Sequence, residues 1–377
     1  MRRIALAAIS LGSFAALVFA PAVGANTVHV HKGDSIQKGV NKAKPGDKVV
    51  VHSGTYTERS RPCRPEPEAT CAVNVTRDDI KLVAESRKVK LKAKGDQDDG
   101  IAIGKTEDPA CMSDRSRRIQ GSVVKGFKVS GFQVNGVILS CVEDWRVTNV
   151  KARDNLGYGV FPFFVVDGRL DHSFASGAND TGLYIGQSRD ARMDHNTAID
   201  NLSGFEIENS SDVRADHNVA RGNTGGILSF ALPNLEVKAN SDNQIDNNEV
   251  VGNNRPNSCL ELEEAVCEVP PGTGILMLAT DTNTVEQNEV TDNNSFGIAV
   301  ADYCVGGGFD CSGGLDIDPQ PNNNRVLSNT VTGNGTAPDS SVPAIFAKDF
   351  AWDVQGTGNC WSNNTFNTSF PAPLPAC

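Results

Sequence analysis

A glycine followed by an apolar alternation returns along this chain at nearly constant intervals, and that recurrence constrains the fold more than any other feature. It reads Gly136-Val-Ile-Leu, Gly159-Val-Phe-Pro, Gly182-Leu-Tyr-Ile, Gly204-Phe-Glu-Ile, Gly226-Ile-Leu-Ser, Gly274-Ile-Leu-Met and Gly297-Ile-Ala-Val, at steps of 23, 23, 22, 22, 48 and 23 residues. A second block keeps its own period, anchored on Val147, Leu170, Met193, Ala215, Ile245, Val285 and Val326. Three residues past the anchor stand Asn196, Asn218, Asn248, Asn288 and Asn329; eight past it stand Asn155, Asn201, Asn223, Asn253, Asn293 and Asn334.

A period of roughly 22 residues holds three short strands and three turns, so that one circuit climbs one strand spacing of about 4.8 Å. No single circuit can bury its own apolar residues, whereas stacked circuits bury them in a continuous core. Asparagine suits the tight bends because it tolerates the left-handed conformation, and stacked asparagines can link their amides along a column. The expected fold is all-β, a single-stranded right-handed parallel β-helix. A leucine-rich repeat lacks its consensus here, and a propeller needs about twice this period.

The N-terminus reads as an export signal over 1–25: basic Arg2 and Arg3, an uncharged run from Ile4 to Ala20, and small residues at Val23-Gly24-Ala25. The run is short for a membrane anchor. Residues 26–377 then form one secreted domain, extracellular or periplasmic, with no linker dividing it and no membrane span once the signal is removed; it is read as a monomer. Without Arg2 and Arg3, 33 basic residues face 46 acidic ones, a net charge of −13. Such a surface disfavours nucleic acid and anionic membranes, and disfavours an anionic polysaccharide unless a cation bridges the two. Ten cysteines in an exported chain suggest disulfides, and in order they form local pairs: Cys63 with Cys71, Cys111 with Cys141, Cys259 with Cys267, Cys304 with Cys311, and Cys360 with Cys377. Metal binding is the rival reading, but no C-x-x-C spacing occurs.

The start, about 26–56, reads as a cap. Val28-His-Val is a strand, Ser35 to Lys44 a short amphipathic helix, and Pro45-Gly46-Asp47 a turn into the strand Lys48 to Val51. The helix would plug the open end of the core and cover strand edges that invite aggregation. The tail, about 351–377, closes the other end. This opening, H-K-G-D-S-I-Q-K-G-V-N-K-A-K-P-G-D-K-V-V-V-H-S-G-T-Y, with the repeated N-x-V-x-x-N-x-x-G-I blocks, resembles the pectate-lyase-like superfamily of parallel β-helix proteins over nearly the whole mature chain. The resemblance implies that fold. For function it implies only a range, polysaccharide lyases, glycoside hydrolases and uronate epimerases among others, because no motif of one branch is complete. The D-P-H motif of alginate epimerases is missing; the nearest string, Tyr158-Gly-Val-Phe-Pro162, has neither acid nor histidine.

Three constellations could carry chemistry. Asp167-Gly-Arg169-Leu-Asp171-His172 recurs as Asp190-Ala-Arg192-Met-Asp194-His195 and Asp212-Val-Arg214-Ala-Asp216-His217. An arginine column cross-paired with an aspartate column on a solvated sheet accounts for it. Calcium between Asp171, Asp194 and Asp216 is the sharper alternative, and a metal on His172, His195 and His217 a further one. Asp96-Gln-Asp98-Asp99-Gly100 reads as an acidic turn rather than a calcium loop, since no glutamate closes it. The third is the face beyond each repeat glycine. Its outward positions include Ile138, Phe161, Tyr184, Glu206, Leu228, Leu276 and Ala299, then Phe163, Gly186, Glu208, Phe230, Leu278 and Ala301. So apolar a face needs a covering loop or a ligand. Long insertions leave the chain beside it, two of them carrying cysteine pairs, which favours a groove.

Glu206 and Glu208, two apart on one strand, project from the same side roughly 7 Å apart, a separation suited to inverting glycoside hydrolysis. Asp302 is the candidate third acid, and Phe161, Phe163, Tyr184 and Phe230 are the candidate sugar platforms. No Arg or Lys stands on these outward rows, which lowers the lyase and epimerase readings. The expectation is a secreted β-helix that binds and acts on a polysaccharide or cell-surface glycan; the alternative is a non-catalytic envelope or extracellular β-helix that binds glycan or protein, or serves a structural role.

Overall fold

The computed structural model describes residues 24–259 and 265–377; the stretch 1–25 read as an export signal lies outside the described residues but for its last two positions. Three parallel sheets run the length of the molecule. The first contains the strands Thr27–Val30, Lys48–Val51, Lys81–Ala84, Val142–Thr148, Val166–Asp171, Arg189–Asp194 and Ser211–Asp216, and continues to Cys360–Ser362. The second runs from Gly54–Tyr56 through Val89–Lys92, Lys128–Ser130, Lys151–Arg153 and Phe174–Ser176 to Thr365–Phe366. The third holds the glycine-led strands Asn135–Ser140, Tyr158–Phe163, Thr181–Gly186, Ser203–Glu208, Gly225–Phe230, Thr273–Leu278 and Phe296–Ala301. Pairing between named strands is parallel except for Arg61–Pro62 against Thr70–Val75. The chain is therefore a right-handed parallel β-helix protein.

Alternation along each strand explains the interior. Val160, Leu183, Phe205, Ile227, Ile275 and Ile298 are in register and fully buried in one continuous core. Repeat glycines are needed where the rungs touch: a Cβ on Gly204 would stand 2.6 Å from the carbonyl oxygen of Gly226. The short helix Ile36–Lys42 caps the first rung, with Ser35 as N-cap accepting from Lys38 N, and Ile36 and Val40 close the core.

The asparagines form ladders. Asn248 donates through Nδ2 to the Ala215 carbonyl and to Asn288 Oδ1, both at 2.9 Å. Its own Oδ1 accepts from the Asn218 N–H at 2.9 Å and the Asn218 amide at 3.1 Å. The same bonds repeat from Asn196 to Asn364 and from Asn201 to Asn334. The second ladder ends on Asp349, which only accepts. One expectation is corrected. The ladder asparagines are not the left-handed residues; the residue before each is, namely His195, His217 and Asn247 in the first column and Asp200, Gly222 and Gly252 in the second, with φ between 53° and 66°. The preceding residue turns the chain, which frees the asparagine side chain to lie along the axis. A third ladder, Asn243, Asn283, Asn324 and Asn359, was not anticipated.

The five disulfides are the in-order pairs, with Cα separations of 5.5, 5.8, 5.2, 5.8 and 4.7 Å. No helix among the described residues is long and apolar enough to cross a membrane.

Candidate functional site

The outer face of the third sheet is covered at both ends and open between. Over its early rungs the Cys63–Cys71 and Cys111–Cys141 loops pack on Ile138, Phe163, Phe164 and Tyr184, with Tyr158 and Phe161 at the margin. Over its late rungs, Leu228, Phe230, Leu278 and Ala301 are buried against Val269, Tyr303 and Ile317 from the insertions. A cleft of about 390 Å³ remains, lined by Glu206, Leu228, Phe230, Leu276 and Ala299 on its floor, with walls from 265–270, 305–309 and 341–346. It spans the rungs from Glu206 to Asp353, roughly 19 Å along the axis. No Lys or Arg occurs among its described lining residues.

Glu206 stands at the early end of this floor, and Glu208, two residues further along the same strand, lies outside the cleft's lining; the two are in register with Tyr184 and Gly186 one rung before and with Leu228 and Phe230 one rung after. Glu206 is 3% exposed. Burial pushes its carboxyl well above the usual range, the negative charge of Asp180 pushes further, and the Thr181 and Ser203 hydroxyls alongside only partly oppose this. Glu208 is pushed up to about 7, first by burial; the Tyr184 hydroxyl, which donates to its Oε2, pulls the other way, and Asp180 adds to the rise. Tyr184 reaches Glu208 because residue 186 is glycine. A Cβ there would lie 1.8 Å from the Tyr184 hydroxyl and 2.2 Å from Cζ, so only a bare backbone lets the ring lie flat along its own strand.

Asp180 and Tyr158 were missed by sequence reasoning. Asp180 sits in the turn before Thr181–Gly186, accepts from the Thr181 hydroxyl at 3.0 Å, and is hydrogen-bonded with the Tyr158 hydroxyl. Tyr158, Phe161 and Tyr184 form one aromatic wall: Phe161 stacks on Tyr184 at 4.4 Å and lies 4.3 Å from Tyr158. The candidate platforms thus divide. Phe230 lines the cleft, whereas half-exposed Phe161 and buried Phe163 and Tyr184 belong to the aromatic cluster over the earlier rungs and do not line it. Asp302 is not brought to the pair. It follows the strand three rungs later, roughly 14 Å along the axis, and its Oδ1 accepts from the N–H groups of Cys304 and Val305 at 2.7 and 2.8 Å. Asp353, also missed, accepts from the Asp302 N–H at 2.7 Å and so ties the 302–309 wall to the last rungs.

The charged column is cross-paired. Arg146, Arg169, Arg192 and Arg214 each grip the aspartate one rung on, Asp171, Asp194, Asp216 and Asp246, through Nε and Nη2 at 2.6–2.9 Å. Arg146, with the His172 and Thr148 hydrogen bonds, holds the Asp171 carboxyl down to about 2 against its burial. With those oxygens taken up by guanidinium forks, Asp171, Asp194 and Asp216 have no arrangement converging on calcium. His172, His195 and His217 stack face to face at 5.1 and 5.0 Å within 4° of parallel, so their nitrogens do not converge either. Among the described residues no group of three His, Cys, Asp or Glu could hold a metal ion. In the 96–100 turn, Asp98 accepts from the Thr70 N–H and hydroxyl, and Asp99 from Asn135.

Residues 112–241 match the family model described as right handed beta helix region. No curated protein matches the chain in sequence. Among solved structures, the A-module of the Azotobacter vinelandii mannuronan C-5 epimerase AlgE4 is similar with a TM-score of 0.58 at 14% identity, over 86% of this chain and 90% of that one. The periplasmic alginate epimerase AlgG gives 0.57 at 15%, over 91% and 73%. The Dettilon tailspike protein gives 0.51 at 12%, over 90% and 67%. At these identities the likeness is one of fold.

Proposed function

We propose that this exported β-helix is a carbohydrate-active enzyme that acts on an uncharged polysaccharide in the cleft of the third sheet, with Glu206 as general acid and Glu208 as general base. One observation carries the reading: two carboxyl groups stand two residues apart on one strand at the early end of an apolar cleft, Glu206 lining it and Glu208 just beyond, and burial raises both of them. Burial and the Asp180 charge favour the protonated form of Glu206, while Glu208, at about 7, ionises as pH rises past neutrality, which suits them to the roles of acid and base. Glu206 would protonate the departing glycosidic oxygen, and Glu208 would take a proton from the attacking water; the i, i+2 spacing leaves room for that water. Tyr184 and Asp180 position and tune the pair. Phe230 and Phe161 offer flat apolar surfaces for sugar rings.

The polymer class is supported by two β-helix neighbours whose names are epimerases of mannuronan and of alginate. An uncharged chain is favoured over a uronate because the cleft presents acids and, among its described lining residues, no cation. Five disulfides support an oxidising compartment outside the cytoplasm.

The test is incubation with a panel of neutral and acidic glycans, scoring new reducing ends, for the native protein, Glu206→Gln and Glu208→Gln. We expect cleavage of a neutral glycan, reduced about 10²-fold or more by either substitution, with kcat/KM of the native enzyme falling below pH 7 as Glu208 takes up a proton. Tight binding without products in any case would replace the enzyme reading by that of a glycan-binding protein.

A further inference from the structure

The charge of this molecule is segregated along its axis. Residues 26–160 carry 24 Lys and Arg against 17 Asp and Glu, a net of +7, while residues 161–377 carry 9 against 29, a net of −20. The mean acidity from which anionic glycans were judged unwelcome therefore describes only the later rungs.

On the second sheet the excess becomes geometry. Thr55, Lys90, Lys128, Lys151 and Phe174 are successive partners in one outward column. Beside it run Lys92, Ser130, Arg153 and Ser176. Three lysines are thus stacked in register at one rung spacing, about 4.8 Å. Like charges directly opposite one another destabilise a sheet. The stacked arginines of the first sheet are neutralised instead, Arg169 by Asp194 and Arg192 by Asp216, and Arg221 of the second sheet pairs with Glu249. None of Lys90, Lys92, Lys128, Lys151 or Arg153 forms an ion pair with a described residue, and no acid occupies an outward position of this sheet before Glu249. The column ends on Phe174, whose half-exposed ring has Arg153 at 4.4 Å and Lys151 at 5.8 Å from its centroid.

We infer that this face is a second glycan site, separate from the cleft, that holds an acidic polysaccharide running along the helix axis. One ammonium group per rung matches a linear polymer with one carboxylate per sugar, each extended residue advancing about as far as one rung. Phe174 supplies a stacking surface at the end of the file, with Arg153 beside it for a bidentate carboxylate contact. Duplex DNA places a charge every ~1.7 Å of axis over a broad cylinder, which a single file of cations on a flat sheet fits poorly. This face would hold the protein to an acidic matrix and leave the cleft free; it does not depend on the cleft being catalytic.

The experiment measures binding of polygalacturonate by calorimetry at several salt concentrations. It compares the native protein with Lys90→Gln/Lys128→Gln/Lys151→Gln and with the same three positions changed to Arg. Neutral dextran, single-stranded DNA and anionic phosphatidylglycerol vesicles serve as the other ligands. We expect salt-dependent binding that the Gln triple weakens about tenfold or more, lowering the slope of log K against log salt by about 2, and that the Arg triple restores. Without ligand, the Gln triple should melt no lower than the native protein, because it removes stacked repulsion. Cleavage of a neutral glycan in the cleft should be unaffected. Absence of polygalacturonate binding, binding indifferent to the Gln triple, or tighter binding of DNA or vesicles would each overturn the inference. So would a rise in solution mass at low salt that the Gln triple abolishes, since the face would then bind a second copy of the chain.

Discussion

Glu208 should make this protein less stable at neutral pH than at acid pH, and replacing it should remove that dependence. Its folded carboxyl titrates at about 7 against 4.5 in the open chain. The folded state therefore binds the proton more tightly, so stability is greatest below the unfolded value, declines as pH rises through the window from about 4.5 to about 7, and is level above it. A displacement of 2.5 units corresponds to about 3.4 kcal/mol at 1.36 kcal/mol per unit. Part of the side chain remains exposed, so about 2–3 kcal/mol is the reasonable expectation. Glu208→Gln keeps the shape and still accepts from the Tyr184 hydroxyl, but cannot ionise. Urea unfolding of both proteins between pH 4.5 and 8.5, taken as a difference at each pH, cancels the titration of every other group. The two curves should nearly coincide at pH 4.5, and the variant should be the more stable by about 2–3 kcal/mol at pH 8. A difference that stays flat across this range would mean that Glu208 ionises as an ordinary solvated carboxyl, and the division of roles between it and Glu206 would go with it.

Gly186→Ala should push the Tyr184 ring off its strand and break its bond to Glu208. Read by the pH profile of turnover, the acid limb should move upward, because the hydroxyl that pulls the Glu208 carboxyl down is lost; an unchanged limb would show that Tyr184 does not act on Glu208. Asn248→Ala removes four buried hydrogen bonds from the middle of a ladder and strands the Asn218 N–H, for a loss of about 3 kcal/mol or more by denaturant unfolding. A loss below about 1 kcal/mol would mean that water or a neighbouring amide takes over its role.

The rungs, the disulfides and the arginine–aspartate column were legible because each rests on spacing, which a repeat writes directly into the chain. Glu206 and Glu208 were found as acids on an apolar row. Their surroundings were harder to read. Asp180 acts on the pair from a turn one rung earlier, and its position in the repeat is one where solvated acids are common. Tyr184 looked like an open platform, and it is buried because Gly186 lets it fold down; that consequence of a missing side chain leaves no mark in hydropathy. The third asparagine ladder escaped notice because the 231–241 and 303–322 insertions break its period, although Asn243, Asn283, Asn324 and Asn359 align in space. The 341–346 wall of the cleft comes from a segment with no repeat pattern at all. The basic file on the second sheet was hidden by summing charge over the whole chain.

The asparagine ladders have a direction. In the two ladders that start at Asn196 and Asn201, each side-chain amide donates to the amide oxygen of the next rung and its own oxygen accepts from the rung before, and the column through Asn334 stops on an aspartate that needs to give nothing. Each rung consequently presents the same plug above and the same socket below, whatever loops it carries. Removing one complete circuit, residues 197–218 for example, would bring Asn196 beneath Asn248 with every amide still matched, whereas removing a few residues fewer would leave plugs without sockets in all three walls. The molecule is in this sense graduated in whole turns: it can be lengthened or shortened by a circuit, and the distance between its basic end and its acidic cleft can change only in steps of one strand spacing.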